Sequence, residues 1–204
     1  MAPGVRRASS RRTERLASAI ALASAIAGLI PLCLLRNGSV YSLNVPVPGA
    51  VERIASDLHP DLVAFDSVRE RHTLVCKRLG DGGVGRLQTQ VRTALADAPA
   101  FEARIAGVDY FERPARGDGP VVYLAVESPG LRDCHRRLCS TFDPADGIEG
   151  DDYVPHVTLA RGGSVDAAQR LAEFDVDSVT WTVSRLVLWD ATYEEPAAEF
   201  RLPA

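Results

Sequence analysis

Two successive rounds of strand-like and helix-like segments constrain the fold of this chain more than any other feature. The first round occupies residues 40–111 and the second residues 121–202, and both alternate strands with helices. Alternating apolar and polar side chains indicate the strands, and apolar residues spaced three and four apart indicate the helices. Gly-rich phosphate loops between βαβ units do not occur in the sequence. We therefore predict an α+β fold of two similar halves, each with helices on one face of a mainly antiparallel sheet.

The same patterns predict where the individual elements lie. Strands are predicted at residues 40–46, 61–65, 69–79, 101–111, 121–127, around His156, at 179–189 and at 199–202. Helices are predicted at residues 49–58, 84–98, 131–142 and 164–174. Ser128 and Pro129 have the residue types of an N-cap followed by the first helical position, so they mark the start of the third helix.

Residues 1–39 differ in composition from the rest of the chain. They contain six arginines and one acidic residue, and residues 16–35 form an uncharged run of 20 residues. Such a run is long enough to cross a bilayer and also resembles a secretory signal. In the alternative, translation starts at Val40, where the first predicted strand begins. We therefore divide the chain into an extension, 1–39, and a domain, 40–204. A start near Val40 predicts a cytoplasmic protein, and an expressed extension predicts a membrane-anchored or exported one.

The domain itself is acidic. After residue 39 the chain has 26 acidic and 17 basic residues, a net charge of −9, and Lys77 is its only lysine. Such a surface repels polyanions at long range, and no basic block compensates for it. An RNA-type substrate would therefore have to be bound in a local pocket rather than on a broad basic face.

The four cysteines predict no metal centre. Cys33, Cys76, Cys134 and Cys139 contain no C-x-x-C pair, and buried free thiols are the expected state. A zinc site at Cys134, His135 and Cys139 would have unsuitable spacing and would lack a nearby fourth ligand. We expect His135 to lie on a helix surface with a structural or solvated role.

Two histidines, His72 and His156, occupy corresponding places in the two halves, 84 residues apart. In the second half, His156 and Thr158 are two residues apart on a strand, so their side chains share one face. An imidazole transfers protons near neutral pH, and a neighbouring hydroxyl can hold a phosphate oxygen. A second histidine across from the first would supply the partner acid or base. This arrangement favours cleavage of a phosphodiester.

The segment Pro155–Arg161, with the sequence PHVTLAR, resembles the motif of the two-histidine phosphoesterase superfamily, which includes 2′-5′ RNA ligases and RNA 2′,3′-cyclic phosphodiesterases. That family has two pseudo-symmetric α+β lobes, each with an H-x-[ST]-x motif on a central strand facing a shared active-site groove. The resemblance covers about residues 40–204. It implies that His72 and His156 act as acid and base and that Thr158 binds the phosphate.

The first motif departs from the family pattern, because Thr73 follows His72 directly instead of lying two residues after it. Either a β-bulge near Arg71 and His72 re-aims one residue, or the first phosphate-binding hydroxyl is absent. Thr73 and Arg161 are further candidates for phosphate binding, and Arg71 and Lys77 are possible phosphate clamps.

The sequence thus predicts a metal-independent phosphoesterase, a monomer without a cofactor, that acts on RNA 2′,3′-cyclic phosphate ends or 2′-5′ linkages. Its partners would be RNA ends or cyclic nucleotides. Two alternatives remain open at this point. One is a binding protein that holds nucleotides or RNA ends without turnover. The other is a hydrolase of a small, non-RNA cyclic phosphodiester.

Overall fold

The computed structural model describes residues 40–203, which form nine strands and four α-helices. In chain order they are β1 (Val40–Val45), α1 (Gly49–Leu62), β2 (Ser67–Val68), β3 (Leu74–Asp81), α2 (Val84–Ala94), β4 (Phe101–Phe111), β5 (Val121–Glu127), α3 (Pro129–Cys139), β6 (His156–Arg161), α4 (Val165–Ala172), β7 (Thr180–Val183), β8 (Arg185–Asp190) and β9 (Glu195–Arg201). A 3-10 turn, Gly150–Asp152, precedes β6.

All nine strands belong to one antiparallel sheet with the order β7-β4-β5-β6-β3-β1-β8-β9, and the short β2 pairs with β6. The two motif-bearing strands, β3 and β6, meet at the centre, where Leu74 pairs with Val157. On one side of this junction the chain runs β1-α1-β3-α2, and on the other it runs β5-α3-β6-α4. The predicted α+β architecture of two similar lobes is therefore confirmed.

Three further strands, β4, β8 and β9, are exchanged between the lobes. β4 follows the first lobe in the chain but lies beside β5, whereas β8 and β9 follow the second lobe, with β8 beside β1 and β9 beside β8. This exchange corrects the prediction of one long strand at 179–189. The chain switches at Ser184 from β7, at one edge of the sheet, to β8, on the other side. Alternation of side chains does not reveal this switch, because both strands have a period of two.

Each helix packs its apolar face against the sheet. The apolar faces of the first two helices are buried, namely Val51, Ile54, Ala55 and Leu58 in α1 and Leu87 and Val91 in α2, which ends at Ala94 and not at the predicted residue 98. α3 begins as predicted, because the Ser128 Oγ accepts a hydrogen bond from the Leu131 N–H at 3.1 Å. The strand predicted at 61–65 is wrong. α1 continues to Leu62, which extends its buried face by one turn.

Residues 1–39 lie outside the described part of the chain, so the predicted extension and the division at residue 40 stay predictions. Among residues 40–203, no helix is long and apolar enough to cross a membrane. Cys76 and Cys134 are buried free thiols, as predicted, and Cys139 is a free thiol that is partly buried. Within the described residues, His, Cys, Asp and Glu side chains form no group of three that could hold a metal ion.

Candidate active site

A groove of about 1050 Å³ runs along the sheet face that carries Thr73, Val75, His156 and Thr158. The alternate residues on the same strands face the opposite way. Leu74, Val157 and Leu159 are fully buried in the hydrophobic core. Because side chains of a strand alternate between faces, the core residues decide which of their neighbours point into the groove. The two lobes thus contribute their central strands to one shared cavity.

Three neighbours hold the side chain of His156. Its Nδ1 lies 2.7 Å from the Val154 carbonyl oxygen, which can only accept, so Nδ1 carries the proton and donates it. The ring packs against Phe111, with centroids 5.3 Å apart, and against Tyr123 at 5.2 Å. The Tyr123 hydroxyl in turn donates to Asp109 Oδ2 at 3.1 Å. These contacts fix the ring and leave Nε2 as the basic nitrogen of the neutral imidazole.

The surroundings of His156 favour the neutral form. Burial lowers the pKa of His156 below its usual value, and the positive charges of Arg78 and Arg161 lower it further. The hydrogen bond to Val154 opposes this shift without reversing it. At neutral pH the ring can therefore accept a proton from a nucleophile.

The chain around the first motif is irregular. Val68 pairs with Ala160, and Leu74 pairs with Val157. The five residues 69–73 therefore lie opposite only two residues of β6, Thr158 and Leu159. The predicted strand 69–79 is accordingly broken at 69–73, and β3 starts at Leu74. Continued by one residue, the register brings Thr73 opposite Thr158, and both threonines line the groove. Thr73 lines the groove, so the first lobe has a candidate phosphate-binding hydroxyl. Arg71, Thr73 and Val75 line the groove in ordinary alternation with the buried Leu74, so no bulge brings His72 to the face of Thr73.

His72 does not join this cluster. The side chains that line the groove include Arg71 and Thr73 but not His72. The charge that acts on His72 is that of Glu52, a residue of α1. Burial lowers the pKa of His72, and Glu52 partly offsets the effect. Alternation along the chain puts His72 on the side of α1, opposite Thr73, and the acid–base role expected for it from the sequence stays a prediction.

The groove concentrates positive charge in an acidic domain. Six of the domain's 17 basic residues line it, against three acids, Glu70, Asp152 and Glu194. The six are Arg69, Arg71, Arg78, Arg113, Arg116 and Arg161. Burial lowers the pKa of Arg161, and the nearby charges of Arg69 and Arg78 add to this effect. Guanidinium groups that crowd together in a cavity provide a site for a phosphate or another anion.

Lys77 is not available as a phosphate clamp, so that prediction is wrong. Its side chain is fully buried, and Nζ donates to Glu149 Oε2 at 2.6 Å and to the backbone oxygens of Arg78 and Asp143. The pair links β3 to the loop that leads into β6. Burial works to raise the pKa of Glu149, but hydrogen bonds from Lys77, Ala145 and Arg78 outweigh it and lower that pKa.

His135 is buried, with an exposed fraction of 1%, and is not the helix-surface residue that we expected. Its Nδ1 donates to the Cys76 carbonyl oxygen at 2.8 Å, and its Nε2 accepts from the Gly150 N–H at 2.9 Å. The ring stacks on Tyr153 at 3.9 Å, and the Tyr153 hydroxyl donates to the Val75 carbonyl oxygen. These bonds hold the backbone of β3 against the segment that precedes His156. They also occupy both ring nitrogens, which leaves none for zinc.

Sequence reasoning missed several residues of the groove, of which Asn44 and Arg78 are the most informative. Asn44 Oδ1 is one of two buried side-chain atoms without a hydrogen-bond partner in residues 40–203, and Asn44 lines the groove. An unpaired buried acceptor is costly unless a ligand or water satisfies it. The available signal was a polar residue between the apolar residues Leu43 and Val45 of β1. Nothing in the sequence singled out Arg78, because only the tertiary structure brings its side chain to the groove.

The model of the 2′-5′ RNA ligase superfamily matches residues 63–193 of this chain, which is more than half of it. The chain belongs to the 2′-5′ RNA ligase superfamily. The match includes both central strands of the sheet, β3 and β6, and therefore both motifs.

Individual proteins show a more distant likeness. The RNA 2′,3′-cyclic phosphodiesterase of Methanothermobacter thermautotrophicus (strain Delta H) is 33% identical over 96 residues, which are 47% of this chain and 51% of that protein. The chain thus aligns with about half the length of this curated relative. The structure of E. coli LigT complexed with 3′-AMP has a TM-score of 0.59 and 15% identity, covering 82% of this chain and 100% of that one. TT0787 of Thermus thermophilus has a TM-score of 0.53 and 20% identity, covering 80% and 97%. These two structures share the fold.

Proposed function

We propose that this protein is a metal-independent phosphoesterase that opens 2′,3′-cyclic phosphates at RNA ends, with His156 as its acid–base catalyst. The related reversal, which forms a 2′-5′ linkage, would use the same groups with a ribose hydroxyl in place of water. The observation that carries the proposal is the position of His156 and Thr158 on one strand face, inside a groove lined by six arginines. The curated relative, which is a cyclic phosphodiesterase, and LigT, whose structure contains 3′-AMP, support the choice of substrate.

Each group has a role that its chemistry permits. The Nε2 of neutral His156 accepts the proton of the nucleophile. The hydroxyls of Thr158 and Thr73 donate to phosphate oxygens, and Arg161 stabilises the negative charge on the phosphate. The unpaired Oδ1 of Asn44 can accept a hydrogen bond from a ribose hydroxyl, which would satisfy it.

A small cyclic phosphodiester is the second candidate substrate, and the charge distribution favours it. Basic groups are concentrated in the groove of a domain with a net charge of −9, so a long RNA gains little outside the groove. Comparing the turnover of a 2′,3′-cyclic mononucleotide with that of an oligonucleotide ending in a cyclic phosphate separates the two candidates. A higher kcat/KM for the oligonucleotide favours the RNA end.

The decisive experiment measures hydrolysis of the cyclic-ended oligonucleotide by the wild-type protein and a His156→Ala variant, with and without EDTA. We expect turnover that EDTA does not change, and a loss of about 10²–10⁴-fold in kcat/KM in the variant, as for the removal of a general base. The control is His59→Ala, since His59 is an exposed residue of α1. Full activity of His156→Ala would contradict the assigned catalyst, and loss of activity in EDTA would contradict the metal-free reaction.

A further inference from the structure

Each lobe presents one threonine to the groove, but the residue two positions before that threonine differs between the lobes. In β6, His156 lies two residues before Thr158. In the first lobe, the residue two positions before Thr73 is Arg71, and both Arg71 and Thr73 line the groove. Because alternate residues share a face, Arg71 takes the place that corresponds to His156, and His72 lies on the other face.

The surroundings of the two residues correspond as well. His156, on β6, has its ring against Phe111 of β4, two strands away in the sheet order. Arg71, next to β3, has its guanidinium 4.6 Å from the ring centroid of Trp189 on β8, also two strands away. Each lobe therefore supports a nitrogen-bearing side chain on an aromatic ring at the same distance across the sheet.

We propose that Arg71 is the second catalytic group of the groove and binds the reacting phosphate in the place that a second histidine would take. This inference rests on the proposed phosphoesterase function. The Arg71 Nη1 donates to the Glu194 carbonyl oxygen at 3.2 Å, which orients the guanidinium over Trp189. A guanidinium has five N–H donors, so others remain for the phosphate and the leaving oxygen. It stays protonated near neutral pH and stabilises charge without supplying a proton.

The chemical step then has a single titrating catalyst. A bond forms between the oxygen of water and phosphorus, and the bond from phosphorus to a ribose oxygen breaks. His156 Nε2 takes the proton of the attacking water. The ribose oxygen leaves with the electron pair of the broken bond, is stabilised by Arg71, and takes a proton from solvent. His156 returns its proton to solvent before the next turnover.

The rate should therefore depend on one ionisation. The groups that face His156 are Arg78 of β3, Arg161 of β6 and Tyr123 of β5, which donates to Asp109 of β4. Burial and Asp109 raise the pKa of Tyr123 well above its usual value. We expect kcat/KM to rise as His156 loses its proton and then to stay level to about pH 9, since a guanidinium at the second position supplies charge and not a proton.

The experiment measures kcat and KM from about pH 5 to 9 on the cyclic-ended oligonucleotide for wild type and for Arg71→Ala, Arg71→Lys and Arg71→His. Arg71→Ala should lower kcat/KM on the order of 10²-fold at every pH, mainly through kcat, without changing the shape of the profile. Arg71→Lys should restore part of the loss, because it restores the charge. Arg71→His should add a falling alkaline limb, since its imidazolium can act as an acid only below its own pKa.

Three results would overturn the inference. One is an Arg71→Ala variant with wild-type kcat/KM, which would leave the proposed function standing. Another is a bell-shaped wild-type profile whose alkaline limb disappears in His72→Ala, since His72 would then be the second acid. The third is an Arg71→Ala variant with a lower unfolding midpoint and a changed profile shape, which would indicate a structural role. Absence of wild-type turnover would instead refute the proposed function, and this inference with it.

Discussion

The two central strands of the sheet carry the same kind of motif in different states of regularity. β6 is one strand from His156 to Arg161, and its register with β5 shifts only after Thr158, so the spacing alone brings His156 and Thr158 to one face. The corresponding segment of the first lobe is broken at 69–73, with three extra residues opposite β6. A regular strand lets the sequence show which side chains are neighbours. An irregular one hides this, because each extra residue reverses the faces of those around it.

In the proposed mechanism the second lobe supplies the titrating group and the first lobe supplies charge. His156 is a neutral imidazole packed against two aromatic rings, whereas the first lobe presents Arg71 on Trp189. If the proposal holds, a groove with two similar lobes need not contain two acid–base groups. The following predictions test how far the equivalence of the lobes extends.

The largest expected effect concerns the buried ion pair of Lys77 and Glu149, which connects β3 to the loop that leads into β6. Lys77→Met would leave Glu149 buried without its ion-pair partner, which should lower the free energy of unfolding by about 3–5 kcal/mol. Chemical unfolding with urea measures this value. Arg185→Ala, which breaks an exposed pair with Glu199, is the control and should cost less than about 1 kcal/mol. A Lys77→Met variant as stable as wild type would show that the buried pair does not hold the lobes together.

A smaller effect is expected from the two threonines. Thr158→Val and Thr73→Val should each lower kcat/KM about tenfold, since each removes a hydrogen bond to a charged phosphate while keeping the shape of the side chain. Thr182→Val, on the exposed part of β7, is the matched control. If only Thr158→Val loses activity, the hydroxyls of the two lobes are not equivalent, and Thr73 lines the groove without contacting the phosphate.

The smallest expected effect is a change in the pKa of one histidine, and it distinguishes His72 from His156. Glu52 raises the pKa of His72, so Glu52→Gln should lower it further, whereas the pKa of His156 should not change. NMR titration of the imidazole protons measures both values in one sample. Equal shifts of the two histidines, or no shift of His72, would contradict the placement of His72 beside α1.

Much of the architecture could be predicted because local patterns determine it. The apolar faces of α1 and α2 gave the helices, and Ser128 gave the start of α3. The strand at 179–189 could not be resolved, since its break at Ser184 depends on which neighbours each piece pairs with. Nor could Lys77 be placed, because its partner Glu149 is 72 residues away in sequence.

The sequence by itself determined the α+β class and the second motif, where His156 and Thr158 share a face because a strand has a period of two. Only the tertiary structure decided which residue of the first lobe faces them. The pairing of β2 and β3 with β6 leaves three extra residues between Val68 and Leu74, and the pairing of the buried Leu74 with Val157 puts Arg71 and Thr73 on the groove face. The register between strands distant in sequence has no local signal, since it is set by the core residues Leu74 and Val157 packing on the opposite face.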